Sequence, residues 1–288
     1  MGYCMEKLKI LLPKGRIYEH VIDLFRGAGI EIHLPERAYR PTVNQDDIEA
    51  KVMKPQNIGK LLELGAHDMG FTGRDWIRET SADVEEIMDT GFDRVRIVAA
   101  VPSAIDDAHL ASHHVIVATE YENIAKNWLK SRKMDYEVIR TYGATEVFPP
   151  DDADMIVDNT ATGRTLQENG LRIVEEIMTS STCMFASKKA LADPDKKKKI
   201  YELKMLFEAV LDAQDRVMLE MNVSKDKFDA LVKGLPSMRS PTVSPLFGDD
   251  GFAVKVAVRK GEVPNLLPKL QSLGATDILE YELRKVVS

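Results

Sequence analysis

Short apolar runs alternate with helical patterns along most of the chain, which predicts an α/β protein. The first apolar run, Leu8–Leu12, has the length of a buried strand, and apolar residues at helical spacing follow from Ile17 to Phe25. Because this alternation is typical of βαβ units, we expect strands that are largely parallel. The same patterns predict helices over Pro55–Leu64 and Ala125–Lys130, and strands over Arg94–Val101, His114–Thr119, Tyr136–Arg140 and Met155–Val157.

The pattern changes after Cys183. A long helix rich in Lys and Glu is predicted from Pro194 to about Met221, and Gly234 with several prolines then marks a loop-rich junction. The tail predicts a β-α-β unit, with a strand over Phe252–Val258, a helix over Val263–Leu273 and a strand over Asp277–Val286. This unit indicates a small separate domain of ferredoxin-like type.

The composition limits the possible function classes. The 288 residues favour two or three domains, and 44% apolar with 30% charged residues is typical of a globular protein. A net charge of −7 argues against broad binding to nucleic acid or to an anionic membrane. Only two cysteines occur, without CxxC spacing, and neither a signal peptide nor a membrane span is predicted. We therefore expect a cytoplasmic protein, which can still bind a small anion through a few local donors.

The segment Asp158–Leu166 carries the strongest candidate chemistry. It is predicted to run from the end of a strand through a turn into a helix over Thr165–Asn169. Thr160 and Thr162 supply hydroxyl groups, and Gly163 allows the tight turn in which successive N–H groups point at one anion.

Other parts of this segment suit a sugar phosphate. The helix that follows adds the positive end of its dipole, and Arg164 adds a cation. Asp158 ends the strand, where ligands of α/β proteins usually bind, and its two oxygens can accept from the vicinal diol of a ribose. The spacing alone equally allows a helix-capping turn.

Two weaker motifs precede this loop. Lys14 and Arg16 flank a glycine directly after the first strand, where they could reach a polyphosphate, although an exposed basic turn is the simpler interpretation. The segment Gly65–Asp75 has three glycines in its first nine residues, which indicates a close approach of backbones. Neither motif alone predicts a function.

Together these segments resemble the ATP phosphoribosyltransferase family, pentosyltransferases that catalyse the first step of histidine biosynthesis. The resemblance covers nearly the whole chain, because the basic turn at 13–16, the glycine-rich segment at 65–73 and the loop at 158–166 occur in the family's order. The tail segments 240–246 and 273–278 resemble the regulatory domain of the family's long form.

The resemblance implies a two-lobed catalytic core like that of the periplasmic binding proteins, followed by a ferredoxin-like (ACT-like) regulatory domain. Lobe I would comprise 1–98 and 183–213, lobe II would comprise 99–182, and the regulatory domain would comprise 214–288. The active site would lie between the lobes, and the chain would assemble as a dimer or hexamer.

The resemblance also implies the reaction. N1 of ATP would attack C1′ of phosphoribosyl pyrophosphate (PRPP), giving N1-(5-phosphoribosyl)-ATP and pyrophosphate, with Mg²⁺ bound mainly to the pyrophosphate and to water. Lys14, Arg16 and Asp158 would be the catalytic residues. No side-chain nucleophile is needed, because catalysis rests on alignment and charge stabilisation.

Residues for each ligand follow from the matched motifs. PRPP would bind on Asp158, Thr160, Thr162, Gly163, Arg164, Thr165 and Leu166. ATP would bind on Lys14, Arg16, Gly70, Thr72, Gly73 and Arg74. Histidine, the feedback inhibitor, would bind on Met238, Thr242 and Asp277.

Two features depart from the family pattern. Asn159 stands where an aliphatic residue usually follows the loop aspartate, and the approach from Glu146 to Asp158 is one residue shorter, with Asp151 and Asp152 near a usual glycine. Two alternatives remain open at the sequence level. One is a cytoplasmic small-molecule sensor with the same two-lobed fold, and the other is a phosphoribosyltransferase that acts on a different base.

Overall fold

The computed structural model describes residues 6–35, 38–106, 110, 113–236, 240–248 and 250–287. Its contacts divide the chain into two compact units. The larger unit comprises Met1–Asp23 and Glu31–Ile200, and the smaller unit comprises Leu24–Ile30 and Tyr201–Ser288.

The larger unit is built on β-strands that carry most of its buried apolar residues. In chain order they are β1 (Leu8–Pro13), β2 (Ile32–His33), β3 (Thr42–Val43), β4 (Ile48–Met53), β5 (Met69–Gly73), β6 (Glu85–Pro102), β7 (Val115–Thr119), β8 (Tyr136–Arg140), β9 (Met155–Thr160) and β10 (Leu171–Ala186). Among the described residues, β2 and β3 pair separately, and the others form one sheet in the order β4-β1-β5-β10-β6-β9-β7-β8.

This sheet has two parallel halves. Strand β1 pairs in parallel with β4 and β5, and β7 pairs in parallel with β8 and β9. The long strands β6 and β10 lie between the halves and are antiparallel to each other and to their outer neighbours. The two halves confirm the expected two-lobed α/β core, and the antiparallel centre qualifies the expectation of a largely parallel sheet.

Among the described residues, the α-helices that precede β11 are α1 (Arg16–Ala28), α2 (Pro55–Glu63), α3 (Arg74–Thr80), α4 (Glu122–Ser131), α5 (Arg164–Glu168), α6 (Lys188–Ala192) and α7 (Pro194–Gln214). Residues of α1 and α7 are divided between the larger and the smaller unit. In the first half, Ile58 and Leu62 of α2 pack with Leu11 of β1. In the second half, Leu129 of α4 packs with Val117 and other residues of β7 and β9. Each half therefore has its own apolar core, as a lobe requires.

The smaller unit contains a four-stranded antiparallel sheet. Its elements are β11 (Arg216–Ser224), α8 (Phe228–Gly234), β12 (Thr242–Pro245), β13 (Gly251–Arg259), α9 (Val263–Ser272) and β14 (Ala275–Glu282). The strand order β12-β13-β11-β14 with two crossing helices is the ferredoxin-like arrangement that the tail predicted.

The prediction of one helix from Pro194 to Met221 is wrong at its end. Helix α7 stops at Gln214, and the chain continues as strand β11. Val217, Leu219 and Met221 are fully buried, and the residues between them are less buried, which is the two-residue period of a strand. Met, Leu and Glu are good helix formers, but intrinsic propensity is a weak determinant, and pairing of β11 with β13 and β14 on both edges overrides it.

Candidate functional site

The candidate site begins where β9 ends. Strand β7 ends at Thr119, which pairs with Val157 of β9. Asp158 and Asn159 of β9 therefore extend beyond the end of β7. The chain after β7 then turns into Tyr121, at the start of α4. Polar residues from two adjacent parallel strands consequently meet at one edge of the sheet, which is the usual place for a ligand.

Hydroxyl groups shape the loop after β9. The Thr160 Oγ1 accepts a hydrogen bond from the N–H of Gly163 at 2.9 Å, and the Thr162 Oγ1 accepts from the N–H of Arg164 at 3.3 Å. Gly163 has φ +82°, a left-handed conformation in which glycine is strongly preferred. Thr160 is 8% exposed and Leu166 4% exposed, and these two residues anchor the loop. The side chains of Thr162 and Thr165 are exposed.

Asp158 is a half-buried carboxyl group. Its pKa is raised to about 6, chiefly by burial and to a lesser degree by the charges of Glu120 and Glu146, whereas hydrogen bonds from the N–H of Asn159 and the side chain of Thr145 oppose the rise. The N–H of Asn159 lies 2.6 Å from the Asp158 Oδ1. The carboxylate is thus ionised at neutral pH in a locally negative environment, which favours hydroxyl donors and developing positive charge.

Arg16 belongs to the same site. A pocket of about 300 Å³ is lined by Arg16, Val95, Glu146 and the loop residues Asp158, Asn159, Thr160, Ala161, Thr162, Thr165 and Leu166. The Arg16 Nε donates to the Asp93 Oδ1 at 3.1 Å, and this carboxylate also contacts the His20 ring at 2.9 Å. The structure therefore brings the basic turn after β1 and the loop after β9 to one pocket.

Buried polar groups connect this pocket to the first half of the sheet. The Tyr121 hydroxyl donates to the Asp75 Oδ2 at 2.8 Å, and the Asp75 Oδ1 accepts from the Ser180 Oγ at 2.7 Å. The Tyr121 ring stacks on Trp76 at 4.7 Å. Burial, followed by the charge of Asp75, raises the pKa of Tyr121, so the phenol stays protonated and acts as a donor.

The glycine-rich segment has a different local environment. Thr72 is fully buried and donates to the carbonyl of Pro55 at 2.9 Å. A Cβ at Gly70 would lie 2.9 Å from the Cβ of Leu11, and one at Gly73 would lie 2.0 Å from the Asp75 Oδ1. Close packing therefore accounts for both glycines, and none of these three residues lines the pocket around Asp158 in the part of the chain that the structure describes.

The remaining predicted cations have local partners. Arg74 forms two hydrogen bonds with Glu86, at 2.9 and 2.6 Å, which raise the pKa of its guanidinium. Arg164 pairs with Glu168 at 2.7 Å, and its side chain is 82% exposed. The Lys14 ammonium lies 5.3 Å from the centre of the Tyr39 ring.

Two of the three tail residues expected to bind histidine lie within the described residues. Thr242 is exposed on the edge strand β12, and Asp277 lies on the opposite edge strand β14. The Asp277 Oδ2 accepts from the Asn222 Nδ2 at 3.1 Å. Met238 lies outside the described residues. One chain therefore does not bring Thr242 and Asp277 together.

Sequence reasoning missed Glu146 and Tyr121 as residues of the site, and it named Asp75 only as the last residue of the glycine-rich segment. Tyr121 carried a usable signal, because it follows directly after a predicted buried strand. A tyrosine there must find a partner for its hydroxyl if the ring is buried. Glu146 gave no such signal, and the pattern around Asp75 pointed to close packing of glycines rather than to a hydrogen bond with Tyr121.

Neither a metal centre nor a membrane-spanning helix is found in the part of the chain that the structure describes. No group of three or more His, Cys, Asp or Glu side chains is arranged to hold a metal ion. A magnesium ion that arrives on a polyphosphate substrate, with water as its other ligand, needs no such group. None of the described helices is long and apolar enough to cross a membrane.

The fold and the site define a two-lobed α/β protein with a polar ligand pocket at the carboxyl ends of its strands. The chain belongs to the ATP phosphoribosyltransferase family. The model of that family matches residues 54–209, and the model described as HisG, C-terminal domain, matches residues 213–285.

Individual relatives agree with this assignment. The ATP phosphoribosyltransferase of Prosthecochloris aestuarii is 39% identical over 295 residues, and the match covers 100% of both chains. That of Thermodesulfovibrio yellowstonii is 38% identical, with 97% of this chain and 98% of the relative covered. A solved structure, the ATP phosphoribosyl transferase (HisG:HisZ) complex from Thermotoga maritima, is similar with a TM-score of 0.63 and 26% identity, over 70% of this chain and 98% of that one. These matches confirm a pentosyltransferase of histidine biosynthesis and disfavour the alternative of a sensor.

Proposed function

We propose that this chain transfers the phosphoribosyl group of PRPP to N1 of ATP in the pocket around Asp158. The observation that carries the site assignment is the convergence of Asp158, Thr162, Thr165 and Arg16 on one pocket of about 300 Å³. A carboxylate, exposed hydroxyls and a guanidinium are the groups that a ribose, its 5′-phosphate and a pyrophosphate require.

The loop after β9 supplies the phosphate site. Thr162 and Thr165 have exposed hydroxyls, and their N–H groups have no hydrogen-bond partner among the described residues. The N–H groups of Gly163 and Arg164 are already bound by threonine hydroxyls, which hold the turn in shape. The 5′-phosphate therefore receives its donors from a turn that is formed before the ligand arrives.

Asp158 holds the ribose. Its ionised carboxylate accepts hydrogen bonds from the 2′ and 3′ hydroxyls, and such charge-assisted bonds are the stronger kind. When the bond between C1′ and the pyrophosphate oxygen lengthens, positive charge develops on the ribosyl ring. Asp158, with Glu120 and Glu146 near it, stabilises that charge more in the transition state than in the ground state.

The pyrophosphate and ATP carry most of the negative charge in the site. Arg16 and Lys14 offset part of the repulsion between the two anionic substrates. Mg²⁺ enters with PRPP as part of the substrate, held by pyrophosphate oxygens and water. N1 of adenine attacks C1′ as magnesium pyrophosphate leaves, and no covalent enzyme intermediate is needed. Backbone groups of the segment 70–74 remain candidates for the ATP side.

The tail and the assembly complete the proposal. Histidine binds on Thr242, Asp277 and Met238 and inhibits the enzyme through a coupling between distinct sites. Because Thr242 and Asp277 lie on opposite edges of one sheet, such a pocket combines two copies of the chain in a dimer or hexamer. The buried free thiol of Cys183 favours a cytoplasmic location.

The assay for the activity is release of pyrophosphate by the purified full-length chain. We expect release only when ATP, PRPP and Mg²⁺ are all present, with formation of a product in which the adenine ring carries the ribosyl group. Omission of each component in turn is the control, and replacement of ATP by free nucleobases tests the alternative acceptor. Release that does not depend on ATP would contradict the proposed reaction.

A further inference from the structure

Asn159 lies between the sugar site and the buried polar groups of the first half of the sheet. Its Nδ2 donates to the Tyr121 hydroxyl oxygen at 3.1 Å and lies 3.2 Å from the Asp158 Oδ1. The Tyr121 hydroxyl in turn donates to the Asp75 Oδ2 at 2.8 Å. One amide group therefore bridges the candidate ribose carboxylate and a tyrosine that is 1% exposed.

The two carboxyl groups, Asp75 and Asp158, determine the direction of each hydrogen bond between them. Asp75 accepts from the hydroxyl groups of both Tyr121 and Ser180, so the Tyr121 proton points to Asp75 and the Tyr121 oxygen is left to accept. Asp158, when ionised, also can only accept. The group between Tyr121 and Asp158 must therefore donate twice, which the NH₂ of Asn159 does and which neither a carboxylate nor an aliphatic side chain can do.

We propose that Asn159 is a positioning residue, which holds the Asp158 carboxylate in its ribose-binding orientation and favours its ionised form. The inference rests on the proposed role of Asp158 and adds a residue at a position where the sequence departs from the family pattern. Tyr121 is clamped by Asp75 and by stacking on Trp76, so the amide has a rigid partner on its far side. A rigid donor is what fixes the orientation of a carboxylate.

The charges around Asp158 make this donor important. Glu120 and Glu146 act against ionisation, Tyr121 is held neutral, and Arg16, which lines the same pocket, is paired with Asp93. The N–H of Asn159 donates to the same oxygen, and the side chain of Thr145 also forms a hydrogen bond with this carboxyl group. Loss of the side-chain donor removes one of few groups that favour the charged form.

The test compares Asn159→Leu with the same change at Asn44. Leucine has a similar size and restores an aliphatic residue. Asn44 is exposed, and among the described residues its side chain accepts one hydrogen bond, from the N–H of Glu31 at 2.9 Å. For Asn159→Leu we expect KM for PRPP to rise about threefold to tenfold, KM for ATP to stay within twofold, and the acid limb of kcat/KM for PRPP to move up by about 0.5–1 pH unit. Asn44→Leu should change none of these.

An isosteric variant and a double-mutant cycle distinguish a positioning role of Asn159 from a role in packing. Asn159→Asp keeps the shape but replaces the donor with a charge, so its acid limb should move further than that of Asn159→Leu. Tyr121→Phe removes only the hydroxyl, and its effect on KM for PRPP should not add to that of Asn159→Leu, because both break one chain of bonds. Additive effects would contradict the bridge.

A titration of Asp158 that does not depend on enzyme activity separates this inference from the proposed function. The carboxyl ¹³C signal of Asp158, assigned with Asp158→Asn, is titrated in the free enzyme. An increase in the pKa of Asp158 in Asn159→Leu supports the inference, and an unchanged pKa together with an unchanged KM for PRPP overturns it. Absence of pyrophosphate release by the unsubstituted enzyme would overturn the proposed function instead, and the titration would still decide the role of Asn159.

Discussion

Stability and function favour opposite protonation states of Asp158. Burial beside Glu120 and Glu146 favours the neutral acid, with a pKa of about 6, whereas the proposed ribose site needs the carboxylate. Hydrogen bonds from the N–H of Asn159 and the side chain of Thr145 reduce this conflict without removing it, and the proposed role of the Asn159 side chain is to add to them. Titratable groups with shifted pKa values are typical of functional sites. The upward direction of the Asp158 shift leads to one prediction about activity and one about stability.

We expect Asp158→Asn to lower kcat/KM for PRPP by about 100-fold or more, because a neutral amide accepts the two ribose hydroxyls less well. The unsubstituted enzyme should lose kcat/KM for PRPP as pH falls below about 6, where the carboxyl group becomes protonated. The variant should lack this acid limb. Steady-state kinetics between pH 5 and 8 measure both effects, and unchanged kinetics in the variant would remove Asp158 from the site.

Stability should change in the opposite direction. A folded-state pKa that is raised above the value of the unfolded chain means that the stabilising effect of the proton is complete below about pH 4 and is lost as pH rises through about 6. Asp158→Asn should therefore be no more stable than the unsubstituted protein near pH 4 and more stable by about 1–3 kcal/mol above pH 6. Calorimetric unfolding at the two pH values measures this, and an equal difference at both would contradict it.

At the scale of elements, the sequence predicted the helices and strands whose bounds depend on nearby residues. β1, α2, β8 and α9 lie within one or two residues of their predicted bounds, because each has a clear period and a glycine, proline or charge at its end. The antiparallel strand β10 was missed and β11 was predicted as helix, because both are defined by partners distant in sequence. The loop at Asp158 has a local sequence pattern and was therefore predicted. The hydrogen bonds that join Asn159 to Tyr121 and Tyr121 to Asp75 depend on residues distant in sequence and were not.

The turn at Gly163 offers a test of the phosphate site with a close control. Gly163 and Gly170 both have left-handed conformations, with φ +82° and +70°, and neither leaves a Cβ closer than 3.5 Å to a neighbour. Alanine at either position should cost about 1–2 kcal/mol of stability. Only Gly163→Ala should also raise KM for PRPP, by about tenfold, because the donors for the 5′-phosphate move with the turn. Thermal unfolding and kinetics of both variants would show whether the two effects separate.

At the scale of the whole molecule, the two compact units and the two family models divide the chain in similar places. The family models meet between residues 209 and 213, and the smaller unit contains Tyr201–Ser288. A truncation before Gly234 would remove β12, β13 and β14 but leave β11 with its buried row of Val217, Leu219 and Met221 exposed. Point substitutions in the sheet are therefore the better way to test regulation.

Asp277 is suited to such a substitution. It has φ +49°, which asparagine tolerates better than most residues, so Asp277→Asn removes the charge with little strain. A carboxylate there would pair with the ammonium group of histidine, and we expect the half-inhibitory concentration of histidine to rise about tenfold with uninhibited activity unchanged. Glu282→Gln, which removes an 86% exposed carboxylate from the same strand, is the control. Equal inhibition of both variants would exclude Asp277 from the histidine site.

The positions of Thr242 and Asp277 lead to a stronger prediction about assembly. Two strands separate them within one sheet, a distance of about 14 Å at the usual strand spacing, which is too far for one amino acid to bridge. If the pocket combines Thr242 of one copy with Asp277 of another, Thr242→Val and Asp277→Asn should each weaken histidine inhibition on its own. Oligomers reassembled from a mixture of the two variants should regain part of it, because some interfaces then join an intact Thr242 to an intact Asp277. Mixtures that stay insensitive, although exchange of subunits is verified by mass, would place the inhibitor within a single copy or elsewhere.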